Sequence, residues 1–172
     1  MLNNFSLMAR FNAWVNGRIY GSAAELTEQA YRADGGAYFG SVHNTLNHIM
    51  VVDRLWTRRI EGKDHEIRSL DQILFNDLES LEEARRQEDQ YFIDLVDGLG
   101  GEDLARPVTY QRIIGKGEET VRCEHVLLTL YNHQTHHRGQ VHAMLTRHDV
   151  IPPAIDLVFF LDELELGEPG KL

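Results

Sequence analysis

The sequence predicts an all-α protein: a four-helix bundle with a short β-hairpin before the last long helix and a short C-terminal helix. Two observations support this prediction. Four stretches of about 20 residues repeat apolar side chains at steps of three and four, the spacing of one face of an amphipathic helix. A short stretch before the fourth is instead rich in strand-forming residues around a glycine turn. Helices that each present one apolar stripe pack stably as a bundle.

The first helix is predicted over residues 5–28. Asn3, Asn4 and Ser6 are all able to cap its start, and the sequence leaves the choice among them open. The glycine-rich stretch 32–40 that follows is typical of a loop. The stripe of this first helix consists of Phe5, Met8, Phe11, Val15 and Ile19.

The second helix is predicted over residues 42–61, with Ser41 as its cap and Gly62 at its end. The third is predicted over residues 76–97, where a highly charged segment keeps an apolar inner stripe and stops at Gly98. That stripe consists of Leu78, Leu81 and Ala84.

The hairpin is predicted over residues 108–121, with the turn at 115–117. The fourth helix is predicted over residues 122–147, and Pro152-Pro153 prevents it from continuing. Residues 154–165 are predicted to form the short final helix.

Length and charge limit the classes of function. The 172 residues, without repeats or composition shifts, predict a single domain over 1–172. The formal net charge is −10, and no basic cluster is longer than a pair such as Arg58-Arg59. Neither nucleic acid nor an anionic membrane surface is therefore an expected partner, because both require a cationic footprint.

Cysteine content and hydropathy indicate the compartment. Cys123 is the single cysteine, which excludes an intramolecular disulfide and a thiolate metal cluster. No run approaches the roughly 18 apolar residues of a membrane span, and the N-terminal residues do not resemble a signal peptide. We expect a cytoplasmic protein.

Nine histidines are the unusual feature of the composition, and five of them lie between residues 125 and 142. A rotation of about 100° per residue places His133 and His137 on or beside the apolar arc of the fourth helix. Being four residues apart, they stack on one face, as two ligands of one metal do. Buried hydrogen-bonded core histidines remain an alternative. The remaining three are predicted at the surface or its boundary: His125, His136 and His142.

The second helix strengthens the metal hypothesis. His48 lies on the flank of its apolar arc, about 70° from the centre, while His43 is predicted to face outward. A bundle can bring His48 to the pair on the fourth helix. Three neutral imidazoles bind divalent transition metals and leave a coordination position open, as catalytic sites do.

The sequence does not decide the roles of five polar residues near these histidines. Asp53 is predicted to support a ligand or to lie at the surface. Arg138 and Gln140 fit hydrogen bonds between helices better than contacts to a substrate or a ligand. Asn12 and Asn16 fit either the metal cavity or hydrogen bonds from helix to loop.

At these residues the sequence resembles the DinB family of DinB/YfiT-like metalloenzymes. The likeness covers nearly the whole chain, and its most specific part is the block His-x-x-x-His-Arg-Gly-Gln. The segments that carry it are residues 46–49 with Asp53, residues 132–140, Pro153 with residues 156–160, and the hairpin with Tyr110 and Gly115.

The resemblance implies an up-down-down-up bundle, a homodimer, and one divalent metal held by His48, His133 and His137. Zinc or nickel is the expected ion, and iron, manganese or cobalt are alternatives. Relatives include thiol-dependent S-transferases and a maleylpyruvate isomerase type, so a low-molecular-weight thiol or another small molecule is the expected partner. We expect a metal-dependent transferase or hydrolase. The alternative is a non-catalytic metal-binding stress-response or dimerisation module.

Overall fold

A computed structural model describes residues 3–167 and confirms the helical bundle with its two-stranded hairpin. Four helices are long, and the three others are short. In chain order the elements are α1 (Asn4–Ala23), α2 (Glu28–Arg32), α3 (Val42–Glu61), α4 (Leu78–Asp97), α5 (Gly101–Ala105), β1 (Pro107–Gln111), β2 (Glu118–Arg122), α6 (Cys123–Thr146) and α7 (Leu157–Gly167).

Side-chain caps set the starts of three of the four long helices, α1, α3 and α4. The Asn3 side chain accepts from the backbone N–H of Ser6 at 2.8 Å, which decides among the three candidates for α1. Ser41 caps α3 as predicted, accepting from Asn44 at 3.1 Å. Gly62 ends α3 in the left-handed region, with φ of 68°, which glycine adopts without strain.

The two largest departures from the predicted boundaries are at the end of α1 and the start of α7. α1 ends at Ala23 and not at residue 28, because Thr27 caps the separate short helix α2. α7 begins at Leu157 and not at residue 154, after an irregular stretch that follows the two prolines. α5 was not predicted at all. Helices of five residues carry no measurable apolar period, so the sequence pattern could not indicate α2 or α5.

The long helices run up, down, down and up in the order α1, α3, α4 and α6. α3 and α4 are parallel, α1 is antiparallel to α4, and α1 is parallel to α6. Hydrogen-bonded pairs fix these directions. Between α3 and α4 they are Asp53 with Arg85 and Thr57 with Glu88. Between α1 and α4 they are Arg10 with Asp97 and Asn16 with Asp89, and between α1 and α6 they are Phe5 with Tyr131 and Asn12 with Arg138.

The apolar stripes meet inside the bundle as predicted. Each fully buried aliphatic side chain contributes roughly 1.5–3 kcal/mol by leaving water. Among residues 3–167, no helix is both long enough and apolar enough to cross a bilayer. The fully buried aliphatic side chains include Val15, Ile19, Leu46, Met50, Ile60, Leu81, Leu127, Leu130 and Leu145.

A loop at residues 63–77 connects the parallel helices α3 and α4, so it must return along the bundle. Asn47 fixes this loop from inside, with a side chain that is 0% exposed. Its Oδ1 accepts from the backbone N–H groups of Leu74 at 2.9 Å and Phe75 at 3.0 Å. Its Nδ2 donates to the carbonyls of His43 and Phe75, both at 3.1 Å. One buried amide thus replaces the backbone partners that a regular element would supply.

We predict that Asn47→Ala lowers the free energy of unfolding by about 2–4 kcal/mol, because it leaves buried N–H groups without an acceptor. Urea denaturation measures this. Asn132→Ala is the matched control, since Asn132 is exposed on α6; its effect should stay within about 0.5 kcal/mol. Equal losses in the two variants would contradict the role assigned to Asn47.

Candidate metal centre

Three histidines converge where α3 faces α6. One ring nitrogen from each of His48, His133 and His137 lies within 4.8 Å of the others. The Nε2 atoms of His48 and His133 are 2.9 Å apart. Nitrogen ligands that share an ion at about 2.1 Å stand roughly 3–3.5 Å from one another. The group can therefore hold a metal ion with small side-chain adjustments.

His48 is held from two sides. Its Nδ1 lies 2.7 Å from the carbonyl oxygen of Leu70, in the loop that Asn47 fixes. The ring of Phe39 stacks on the imidazole, with centroids 3.8 Å apart and planes 21° apart. Because a carbonyl only accepts, the proton of neutral His48 is assigned to Nδ1. Its Nε2 is then the unprotonated nitrogen, and it accepts a hydrogen bond from Nε2–H of His133 at 2.9 Å.

His137 is oriented in the same way by its own helix. Its Nδ1 lies 2.8 Å from Oε1 of Gln140, one turn further along α6. Donation to this amide oxygen likewise leaves Nε2 as the unprotonated nitrogen of His137. Such hydrogen bonds on the far nitrogen are the usual support of a metal-binding histidine. His133 lacks this support, because its Nδ1 is buried with no hydrogen-bond partner among the described residues.

Burial keeps all three imidazoles uncharged near neutral pH. It lowers the pKa of His48 to about 4, although the Leu70 carbonyl opposes the shift. It lowers the pKa of His133 to about 3, and the pKa of His137 is lowered as well. Neutral imidazole is the form that binds metal, so binding at neutral pH requires no loss of a proton from these rings.

A cavity of about 400 Å³ opens beside His48 and His133. One wall is α3, with Trp56 and Arg59, and the other is the hairpin, with Tyr110. A second cavity of about 640 Å³ shares Leu70, Ile113 and Ile114 with the first. The sequence indicated the hairpin but not its position against the histidines, because that depends on contacts between distant segments.

The five polar residues whose roles the sequence left undecided either orient a clustered histidine or form contacts between helices. Gln140 orients His137, within one helix and not between helices. Arg138 donates to Asn12 and Asn16 on α1, which confirms hydrogen bonds between helices. The two asparagines therefore face the bundle interior, where they contact neither a loop nor the three histidines. Asp53 is buried in the same interior, 2.6 Å from Arg85, and is not a surface group.

Four of the six histidines outside the cluster carried a prediction of their position. His125 and His136 are exposed, and His142 is half-buried with its Nε2 3.1 Å from the carbonyl of Pro153, in agreement with the prediction. The prediction for His43 was wrong. It is 4% exposed, because α2 covers that side of α3 and the ring of Tyr31 packs edge-on against it at 5.2 Å.

Together these features define a helical bundle with a candidate three-histidine metal site beside a cavity. A model of the DinB family matches residues 1–169 of the chain. "Protein DinB" of Bacillus subtilis (strain 168) is 27% identical over 142 residues, which cover 78% of this chain and 80% of that protein. The chain therefore belongs to the DinB family, as its histidine block predicted.

We predict that the metal-free protein loses stability as the pH falls from 6.5 towards 5. In the unfolded chain imidazole protonates near its ordinary pKa of about 6.5, whereas folded His48 and His133 protonate only near 4 and 3. The unfolded state thus binds more protons, and the loss should be at least about 1 kcal/mol. Urea midpoints across this pH range, measured with a chelator present, test it.

Two variants isolate the contribution of the cluster to this pH dependence. His48→Gln should flatten the pH dependence, because one of the depressed groups is gone. His125→Ala should leave it unchanged, because His125 is exposed. A wild-type stability that stays constant or rises towards pH 5 would contradict the prediction.

Proposed function

We propose that the protein binds one divalent transition-metal ion through His48, His133 and His137 and acts as a metal-dependent enzyme on a small molecule. The convergence of the three ring nitrogens within 4.8 Å carries the proposal. In two of these rings, His48 and His137, the Nδ1 contact to an oxygen leaves Nε2 as the unprotonated nitrogen. Membership of the DinB family supports the assignment of the three residues.

The set of donors narrows the choice of ion. Three imidazole nitrogens suit zinc and nickel, which we expect, and also iron, manganese or cobalt. Asp53, the carboxylate that follows His48 on α3, is engaged elsewhere in an ion pair with Arg85. The protein would therefore supply three nitrogen ligands and leave further coordination positions for water or substrate.

Coordination positions that the protein leaves open favour a catalytic metal site over a purely structural one. A bound divalent ion acts as a Lewis acid and lowers the pKa of a coordinated water or thiol. His48 and His137 are held in place through their Nδ1 contacts, and the cavity beside them has mainly apolar walls. We infer a transferase or hydrolase, with a thiol-dependent S-transferase as the leading type. A homodimer remains a prediction from the family resemblance.

We predict that His48→Ala and His137→Ala each lose stoichiometric metal while remaining helical, because two imidazoles hold a divalent ion far more weakly than three. Elemental analysis of protein purified without a metal-chelate column, with circular dichroism alongside, measures both properties. Gln140→Ala should keep the ion but bind it about 10–100-fold more weakly in chelator competition, because the His137 ring loses its support.

His125→Ala is the matched control for these variants, since it removes an exposed histidine from the same helix. It should keep the wild-type metal content. Wild-type protein without stoichiometric metal would overturn the proposal and leave the histidines as hydrogen-bonded core residues. Full metal retention by His48→Ala would show that the ligands are wrongly assigned.

We predict that small thiols raise the melting temperature of the metal-loaded protein and not that of the metal-free protein. Mass action links binding to stability, so a thiol at 100 times its Kd should add about 2.7 kcal/mol. A thermal-shift series of thiols, each paired with the corresponding alcohol, measures this. No response to any thiol would argue against the S-transferase type, and metal that cannot be exchanged without unfolding would favour a structural role.

A further inference from the structure

The cavity beside the histidines combines apolar walls with an unusual set of charges. Its walls include Val52, Leu55 and Ile114, and three charged side chains line it: Arg59, Arg112 and Glu119. Small-molecule sites typically have this form, a mainly apolar cavity with a few polar groups that fix the orientation of the ligand. The charges therefore indicate the chemistry of the occupant.

Two of the three charged groups neutralise each other. Arg112 and Glu119 form an ion pair within the hairpin. The hydroxyl of Tyr110 also donates to Glu119, at 2.7 Å. The hydrogen bonds from Arg112 and Tyr110 lower the pKa of Glu119, which is therefore ionised at neutral pH. This pair adds no net charge to the cavity.

Arg59 is left without a counter-anion. Its guanidinium lies 4.7 Å from the ring centroid of Trp56 and 4.3 Å from that of Tyr110. One Nη donates to the carbonyl of Gln111 at 2.6 Å, and the buried Nε donates no hydrogen bond among the described residues. Within residues 3–167 no carboxylate forms an ion pair with it, whereas the adjacent Arg58 is paired with Glu88.

Arg59 also lies on the same face of α3 as His48. The two are 11 residues apart, which is about three helical turns, so their directions differ by only about 20°. Along the helix axis this separation is roughly 16 Å, and both side chains line the same cavity. His48 and Arg59 thus mark two ends of one cavity.

We propose that this cavity binds a small organic acid, with its carboxylate at Arg59 and its apolar body along the walls towards the histidines. This inference rests on the proposed function, since the reacting group would lie at the metal end. A single uncompensated cation matches a monoanionic carboxylate better than a phosphate dianion. Guanidinium also binds a planar carboxylate with favourable geometry. Arg59 is thus the determinant of specificity.

Isothermal titration calorimetry with 3-phenylpropionate and its neutral amide, 3-phenylpropionamide, tests the proposal on the full-length protein. The two probes share shape and apolar body and differ in charge. We expect chelator-treated wild-type protein to bind the acid at least about tenfold more tightly than the amide, as a charge-assisted hydrogen bond provides. In Arg59→Met, which keeps the apolar stem, this preference should shrink to less than about twofold.

Arg86→Met is the matched control, because Arg86 is an exposed arginine of α4, paired with Glu82 and Glu83. It should keep the full preference. Equal affinities of wild-type protein for acid and amide overturn the proposal, and that comparison requires no variant to fold. A tenfold preference that persists in Arg59→Met also overturns it, since another group would then bind the carboxylate.

The metal content separates this proposal from the one on which it rests. The probe comparison uses metal-free protein, so it measures Arg59 even if no ion is ever bound. If the protein held no stoichiometric metal but still preferred the acid, the proposed function would be wrong and the carboxylate proposal would stand. Stoichiometric metal without any preference would defeat only the carboxylate proposal.

Discussion

A buried polar network connects all four long helices, and the position of every other group depends on it. At its centre Arg85 of α4, 2% exposed, lies 2.6 Å from Asp53 of α3 and 3.0 Å from Asp89. Gln134 of α6 donates to Asp53 at 2.8 Å. Asn16 of α1 donates to Asp89, also at 2.8 Å. Charges buried in this way are tolerated only when each has its partners, and removing one typically costs 3–5 kcal/mol.

This network fixes the register of the helices, which apolar packing alone would leave open. Leucine and valine side chains interlock acceptably at several offsets, whereas Asp53, Arg85 and Gln134 meet at only one. On α6, Gln134 and Arg138 each follow directly after one of the clustered histidines, His133 and His137. The hydrogen bonds that align α6 with α1 and α3 therefore also align its two imidazoles with His48.

The long helices and the three clustered histidines could be predicted, because both follow from periodicity within one helix. The position of His43 could not, since its burial depends on the five-residue helix α2. The roles of Asn12 and Asn16 were equally hidden, because their partner Arg138 is more than 120 residues away in the chain. Short elements and long-range polar contacts leave no periodic signal in a sequence.

The contact between His48 and the Leu70 carbonyl couples the opening of the loop at residues 63–77 to the orientation of His48 in the histidine cluster. Local opening of a loop is ordinarily cheaper than global unfolding, and it exposes the backbone amides to hydrogen exchange. Here opening also releases the imidazole, whose ring can then turn its Nε2 away from α6. Any ligand of the cluster that requires the native His48 orientation must therefore slow amide exchange at Leu74 and Phe75, although it touches neither residue.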